Sequence, residues 1–377
     1  MMRKEIATKK ILIIINKLSR AGAEKQLLLI LRNLKDKYQF QIISLYGKGE
    51  FELPFTELGI PVFHWHLNGS LIKPANIYQI FMLLKHTLKY RPNIIHSWLF
   101  HSNMISTVLK SASRSCGFIA SVRGSNFWHK KIHMIISNII YRTCDCIITN
   151  SPGLKAEIQA NYASEDKIEL IYNGVEGLTK EQRENGIDLF ESEKAEGKII
   201  IGCVGRFVKE KRYCDVIEIA MKLTEQYSNI LFVLVGGRGE YESYKKEIEN
   251  SPLKNHVILA GEVDNPLAYI KSFDIYLMTS SHEGMPNSLM EAMSMGKAVV
   301  ATAVGAIPDL VTTGINGILV PVADPAKTSN ALGKLIENRA LAREFGKNNI
   351  EKMQEFSIEK MVSRYEEIYD RVITDYP

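Results

Sequence analysis

Residues 280–308 read SSHEGMPNSLMEAMSMGKAVVATAVGAIP. An apolar strand ends near Thr279, a loop carries Glu283, Gly284, Met285, Pro286 and Asn287, a helix starts at Asn287 or Ser288, and Lys297–Thr302 is the next strand. Strand, helix and strand in that order imply parallel pairing in an α/β sheet. Gly284 permits a positive φ and close backbone approach to a ligand. Pro286 has no N–H to lose and suits a first helical turn. The free N–H groups of that turn suit a phosphate or a polar sugar. Glu283 sits before the helix and Glu291 one turn inside it, directed back toward the start. Two such carboxylates can hold two parts of one polyhydroxylated ligand. On spacing alone, the favoured reading of Glu291 is an ordinary surface acid complementing the helix dipole.

The same rhythm extends in both directions. Lys198–Val204, Ile230–Val235, Val257–Ala260 and Ile275–Thr279 read as strands before the segment and Gly317–Val320 as one after it, with helical stretches between. Toward the amino end, Ile11–Ile15, Phe40–Tyr46, Pro61–Trp65, Asn93–Ser97, Gly117–Val122 and Cys146–Asn150 read as strands, with helical periodicity over Gly22–Leu34 and Ile77–Tyr90. Residues 176–198, charged and with three glycines, break the pattern and read as a connection plus a surface excursion. The chain is therefore expected to form two doubly wound domains, 1–175 and 176–357. An amphipathic helix over Ile358–Ile373 follows, with Met361, Tyr365, Ile368, Tyr369 and Val372 at helical spacing. Open α/β sheets bind ligands outside the carboxyl ends of their strands, so the chemistry belongs in the loops after them.

Composition agrees and narrows the classes. A chain of 377 residues, 46% apolar and 24% charged, has a two-domain length and can bury sizeable cores. No apolar run approaches the ~18 residues of a membrane span, and the five apolar residues Ile11–Ile15 are too few for a secretory signal. Five cysteines without a CxxC argue against a disulfide framework and a zinc site, and the chain is read as cytosolic and reduced. Charge is uneven: residues 1–180 hold 24 Lys/Arg against 12 Asp/Glu, whereas the whole chain is only +5. A basic first half suits a phosphorylated substrate or an anionic membrane. No RNA-reading motif is present, so nucleic acid is not expected as a partner.

Three further loops carry candidate chemistry. Val204–Arg212, VGRFVKEKR, follows the second domain's first strand, and its Arg206 and Lys211 suit a diphosphate, the arginine bidentately. Ser19–Glu24, SRAGAE, follows the chain's first strand and opens a helix at Gly22. Asn93–Asn103, NIIHSWLFHSN, places His96 at a strand end and His101 in the next loop, where a histidine can meet a sugar hydroxyl or handle a proton. Arg123, after the strand Phe118–Val122, is read at the same edge, facing an acceptor phosphate. Val235–Gly239, VGGRG, lacks the full spacing of a dinucleotide fingerprint, so NAD is not expected.

Taken together, these segments resemble the retaining glycosyltransferases of family 4, of GT-B type. The resemblance rests on the E-x7-E signature from Glu283 to Glu291, with Gly296–Thr302 and Gly305–Pro308 after it, and on the GR-x4-K element Arg206 to Lys211. It extends to Gly22-Ala23-Glu24, to His96 through Asn103, and to Tyr172–Val175 at the domain junction. The chain departs from the family pattern at Ala21, Trp98, Lys297-Ala298 and Ala306. The resemblance implies two Rossmann-like domains facing across a cleft, with the terminal helix 358–377 packing back on the first. It implies a nucleotide diphosphate sugar as donor, UDP-sugar favoured, with no resident cofactor; the absence of D-x-D fits a metal-independent reaction.

By the same resemblance, Arg206 and Lys211 hold the diphosphate, Glu291 the ribose and Glu283 the donor sugar. Gly22, Gly284, Met285, Pro286 and Asn287 complete the donor contacts. His96, His101 and Arg123 line the acceptor side, with His101 also counted among the catalytic residues. The product would be a lipid-linked or cell-surface glycan, made by an enzyme peripheral on the inner face of the plasma membrane. The basic, isoleucine-rich stretch Phe127–Arg142 is the candidate membrane contact, with a buried helix as its alternative. Two other readings stay open: a nucleotide-sugar 2-epimerase on the same fold, and a nonenzymatic nucleotide-sugar or nucleic-acid binding protein.

Overall fold

The computed structural model describes residues 9–68, 73–113, 115–124, 131–162, 165–184 and 188–376. The chain divides into two compact units, Met1–Gly174 with Ile358–Pro377, and Val175–Ser357.

The first unit runs β1 (Lys10–Ile15), α1 (Gly22–Leu34), β2 (Gln39–Ser44), α2 (Leu53–Glu57), β3 (Val62–His64), α3 (Pro74–Tyr90) and β4 (Ile94–Trp98). It continues with α4 (Phe100–Ala112), β5 (Gly117–Val122), α5 (Lys131–Thr143), β6 (Cys146–Thr149), α6 (Pro152–Asn161) and β7 (Ile168–Leu170). The seven strands are parallel in the order β3-β2-β1-β4-β5-β6-β7. Helices cover both faces, so strands such as Ile11–Ile15 are buried along their whole length. β7, a three-residue edge strand, is the one strand of this sheet that the apolar pattern did not reveal; its sequence IEL is too short and too polar to stand out.

The second unit begins with α7 (Lys180–Glu184) and α8 (Glu191–Ala195), inside the stretch read as a connection. Then come β8 (Ile199–Val204), α9 (Tyr213–Thr224), β9 (Ile230–Val235), α10 (Tyr241–Glu249), β10 (Val257–Gly261), α11 (Pro266–Ser272) and β11 (Ile275–Met278). It ends with α12 (Asn287–Ser294), β12 (Ala298–Thr302), α13 (Ile307–Leu310), β13 (Ile318–Val320), α14 (Pro325–Glu337) and α15 (Arg339–Met353). The parallel order is β10-β9-β8-β11-β12-β13. Asp324 caps α14 by accepting from the Lys327 N–H at 2.9 Å, with Pro325 in the first turn.

The last helix, α16 (Ile358–Thr374), returns to the first unit. Its Met361, Tyr365, Ile368, Tyr369 and Val372 join the core formed by β1, β2 and α1. Val372 fills the place of a side chain at Gly117, where an added Cβ would lie 2.1 Å from Val372 Cγ1. Gln26 of α1 holds the chain where it leaves this unit: Gln26 Nε2 donates to Gly174 O and the Gly174 N–H donates back to Oε1, both at 2.9 Å.

Candidate functional site

In each sheet the strand order reverses direction once, between β1 and β4 and between β8 and β11. Successive helices leave such a point toward opposite faces, which opens a crevice at the carboxyl ends of the two strands.

At the second unit's switch point, the loop after β8 carries Arg206 and Lys211, and the loop after β11 carries Glu283. Lys211 Nζ donates to Glu283 Oε1 at 2.5 Å, with the two side chains 22% and 11% exposed. Arg206 is exposed, and its guanidinium meets no partner among the described residues. Gly284, Met285 and Pro286 of this loop are buried, while Asn287 and Glu291 are half-buried on α12. Pro286 is the extended residue before that helix. The helix start is pinned to the end of β8: Tyr276 Oη donates to Ser288 Oγ at 2.8 Å, and Ser288 Oγ donates to Val204 O at 3.3 Å. Burial holds the Tyr276 phenol well above its usual pKa, so it stays a donor.

Backbone contacts fix both loops. The Ser281 N–H donates to Glu210 O at 2.8 Å, and Thr279 Oγ1 donates to Lys211 O at 2.9 Å, tying the acidic loop to the basic one. The Ala306 N–H donates to Gly284 O at 2.8 Å. Gly305, at φ +57°, packs so closely that a Cβ would stand 2.2 Å from Glu283 O. Gly236, at φ +140°, lies in the same way against Gly205, where a Cβ would be 1.9 Å from the carbonyl oxygen. These two glycines therefore set the positions of Glu283 and Arg206 from neighbouring loops. Ala306, where the chain departs from the pattern it resembles, is buried.

The first unit's switch point gathers Gly22 and His101. Gly22 is exposed as the first residue of α1. His101 is exposed in the first turn of α4, its ring edge-on to Tyr46 at 5.9 Å. Partial burial, then the nearby His133, lower its pKa, so the imidazole is neutral at pH 7. Asn16 Oδ1, from the loop after β1, accepts from Ser102 N–H at 3.1 Å and from Ser102 Oγ at 2.7 Å, joining the two loops. Leu99 between β4 and α4 has φ +75°, a costly conformation for a branched side chain.

Two acceptor-side expectations need correction. His96 lies inside β4, fully buried, with Nδ1 2.8 Å from Tyr369 Oη and Nε2 2.9 Å from Ser121 Oγ. Both ring nitrogens are used within the core, so it is a structural histidine. Arg123 is likewise committed: its guanidinium lies over the Trp98 ring at 4.4 Å and donates to Asn173 Oδ1 at 2.8 Å and to Tyr365 Oη. It clamps α16 and the chain exit to the sheet. Of the membrane stretch, Phe127, Trp128 and Lys130 lie outside the described residues, while Ile132, Ile135 and Ile139 are exposed. The buried-helix alternative thus fails for those three isoleucines. Sequence reasoning missed Asn16, Tyr46, Leu99, Tyr276 and Ser288. Of these, only Asn16 carried a signal, since it directly follows the strand Ile11–Ile15.

Among the described residues, no helix is long and apolar enough to cross a membrane. Comparison with known proteins gives the family. Residues 20–176 match the family described as Glycosyltransferase Family 4, and residues 185–352 match Glycosyl transferases group 1. An uncharacterized glycosyltransferase of Methanocaldococcus jannaschii is 30% identical over 63% of this chain, which spans 61% of that relative's length. A capsular polysaccharide biosynthesis glycosyltransferase of Staphylococcus aureus is 23% identical over 76% of this chain and 79% of its own. The Anabaena HepE protein, solved in complex with UDP, superposes with a TM-score of 0.82 at 20% identity, covering 96% of this chain and 100% of that one. With two GT-B type Rossmann-like domains and family matches over both of them, the chain belongs to the glycosyltransferases of group 1 and family 4.

Proposed function

We propose that this protein is a retaining glycosyltransferase that moves a hexose or N-acetylhexosamine from a UDP-sugar to an acceptor hydroxyl. The observation that carries the reading is the pairing of Lys211 with Glu283 at the switch point of the second sheet, on the loops that also carry Arg206, which has no partner among the described residues. Two cations there can take up the charge that develops on a departing nucleoside diphosphate. Glu283 and the backbone around Met285–Asn287 hold the donor sugar, and Glu291 holds the ribose hydroxyls. Gly22, with no side chain at the start of α1, lets a donor phosphate approach the backbone closely. Attack by the acceptor hydroxyl on the face the diphosphate leaves, within one ion pair and with the hydroxyl proton passing to the departing phosphate oxygen, retains the anomeric configuration. His101, neutral at pH 7, contacts the acceptor.

The capsular relative and the basic first half support a lipid-linked or cell-surface glycan as acceptor, with the enzyme peripheral on the cytoplasmic face of the membrane. The test incubates the protein with UDP-, GDP- and ADP-sugars, with and without a membrane-lipid acceptor fraction, and determines the product's anomeric configuration by NMR. A retained glycoside formed from the UDP-sugar supports the reading. An inverted glycoside overturns retention, and an altered sugar formed without acceptor identifies an epimerase.

A further inference from the structure

Residues 58–144 contain ten Lys or Arg and not one Asp or Glu. That stretch includes α3, α4 and α5, which lie side by side over one face of the first sheet, α4 packing against both neighbours. Their inner residues, among them Leu83, Ile105, Leu109 and Ile140, share a core with Leu12, Ile14 and Phe118. Their outer faces are unusual for helices that meet water. Ten of the fifteen large hydrophobic side chains exposed among the described residues lie on these three helices. Ile77 and Phe81 on α3 are 57% and 61% exposed, and Ile135 and Ile139 on α5 are 59% and 53% exposed. Each pair stands four residues apart, so it forms a stripe and not a scatter. Grouped exposure of large apolar side chains of this kind marks an interaction surface.

We propose that the outer face of α3, α4 and α5 is the surface by which this protein lies on an anionic lipid bilayer. The proposal rests on the membrane-surface part of the reading above and not on the chemistry of transfer. Charge selects the occupant. Exposed Lys73, Lys85, Lys89, Lys131 and Arg142 accompany the apolar stripes, and none of the three helices carries a carboxylate. A second copy docked symmetrically would set like charges against each other. A bilayer with anionic headgroups offers the opposite charge at the rim and an apolar interior for the isoleucines, while lysine stems lie along the boundary. The contact therefore extends beyond α5 to a three-helix face.

The test is flotation of the full chain with vesicles of phosphatidylglycerol and phosphatidylcholine, and with phosphatidylcholine alone, at low and high salt. The wild type is expected to float with the anionic vesicles, less so at high salt. Phe81→Gln with Ile135→Gln is expected to lower the partition at least about tenfold, and Lys85→Glu with Lys89→Glu to lower it for anionic vesicles alone. Unchanged thermal unfolding and UDP binding check that these surface variants are folded. A wild type that stays at the bottom of every gradient overturns the membrane reading itself. A Phe81/Ile135 variant that floats like the wild type overturns the assignment of the face. A concentration-dependent dimer in sedimentation that the same variant abolishes makes a second copy the occupant and overturns the proposal.

Discussion

Lys211 and Glu283 form an ion pair, and in the proposed reading a nucleoside diphosphate competes with Glu283 for that ammonium. Replacing Glu283 by Gln keeps the shape and releases Lys211. The variant should bind UDP roughly 3- to 10-fold more tightly while transfer falls on the order of 100- to 1000-fold. Calorimetry and a transfer assay measure the two effects separately, and weaker UDP binding would mean that Glu283 itself helps to hold the nucleotide. Arg206→Ala should cost about 1.5–3 kcal/mol of UDP affinity, with little change in melting temperature because the side chain is exposed and unpartnered among the described residues.

His96 behaves in the opposite way. Burial, then the charge of Arg123, hold its pKa well below the usual value. The unfolded chain therefore binds a proton at about pH 6.5 that the folded chain refuses, so stability is full above that pH and falls as pH drops below it, by about 1.4 kcal/mol per unit. His96→Gln should remove that slope in pH-dependent denaturation curves, and an unchanged slope would place the titrating group elsewhere. The sequence hid this role for a physical reason. All five residues of IIHSW in β4 are buried, because helices cover both faces of the sheet. Alternation therefore could not show which way His96 points until α16 and its Tyr369 were located. Arg123 misled in the same manner, since its cover comes from Trp98 and Tyr365, distant in sequence from it and from each other.

Among the elements, the strands were the most legible. Runs such as Ile230–Val235 coincide with the strand residue for residue, because a parallel strand buried on both faces is a continuous apolar run. Loop geometry was legible only where glycine and proline constrain it. The sequence marked Gly284 and Pro286, but it could not show that Gly305, on the next loop, supports the carbonyl of Glu283. That support is testable. Gly305→Ala adds a Cβ 2.2 Å from that oxygen at φ +57°, costing about 1–3 kcal/mol in strain and displacement. The loop should shift, so kcat/KM for donor turnover should fall more than thermal stability does. A variant with normal turnover would show that the acidic loop tolerates movement.

At the scale of the whole molecule, two sheets built on one topological plan carry different chemistry. The second sheet's switch point holds a paired lysine and an arginine without a partner among the described residues, whereas the first holds a glycine, a neutral histidine and a strained leucine. Hydrogen exchange should reflect that difference, with UDP protecting 205–212 and 280–291 strongly. The central claim is that the second unit's charged loops transfer a sugar to an acceptor, and one measurement tests it most directly. It is the rate of UDP release from a UDP-sugar, with and without a membrane-lipid acceptor, for the wild type and for Glu283→Gln. The account predicts release that the acceptor stimulates and that falls on the order of 100-fold or more in the variant, at a melting temperature near that of the wild type. Release that ignores the acceptor, or that survives the loss of the Glu283 carboxylate, would contradict it.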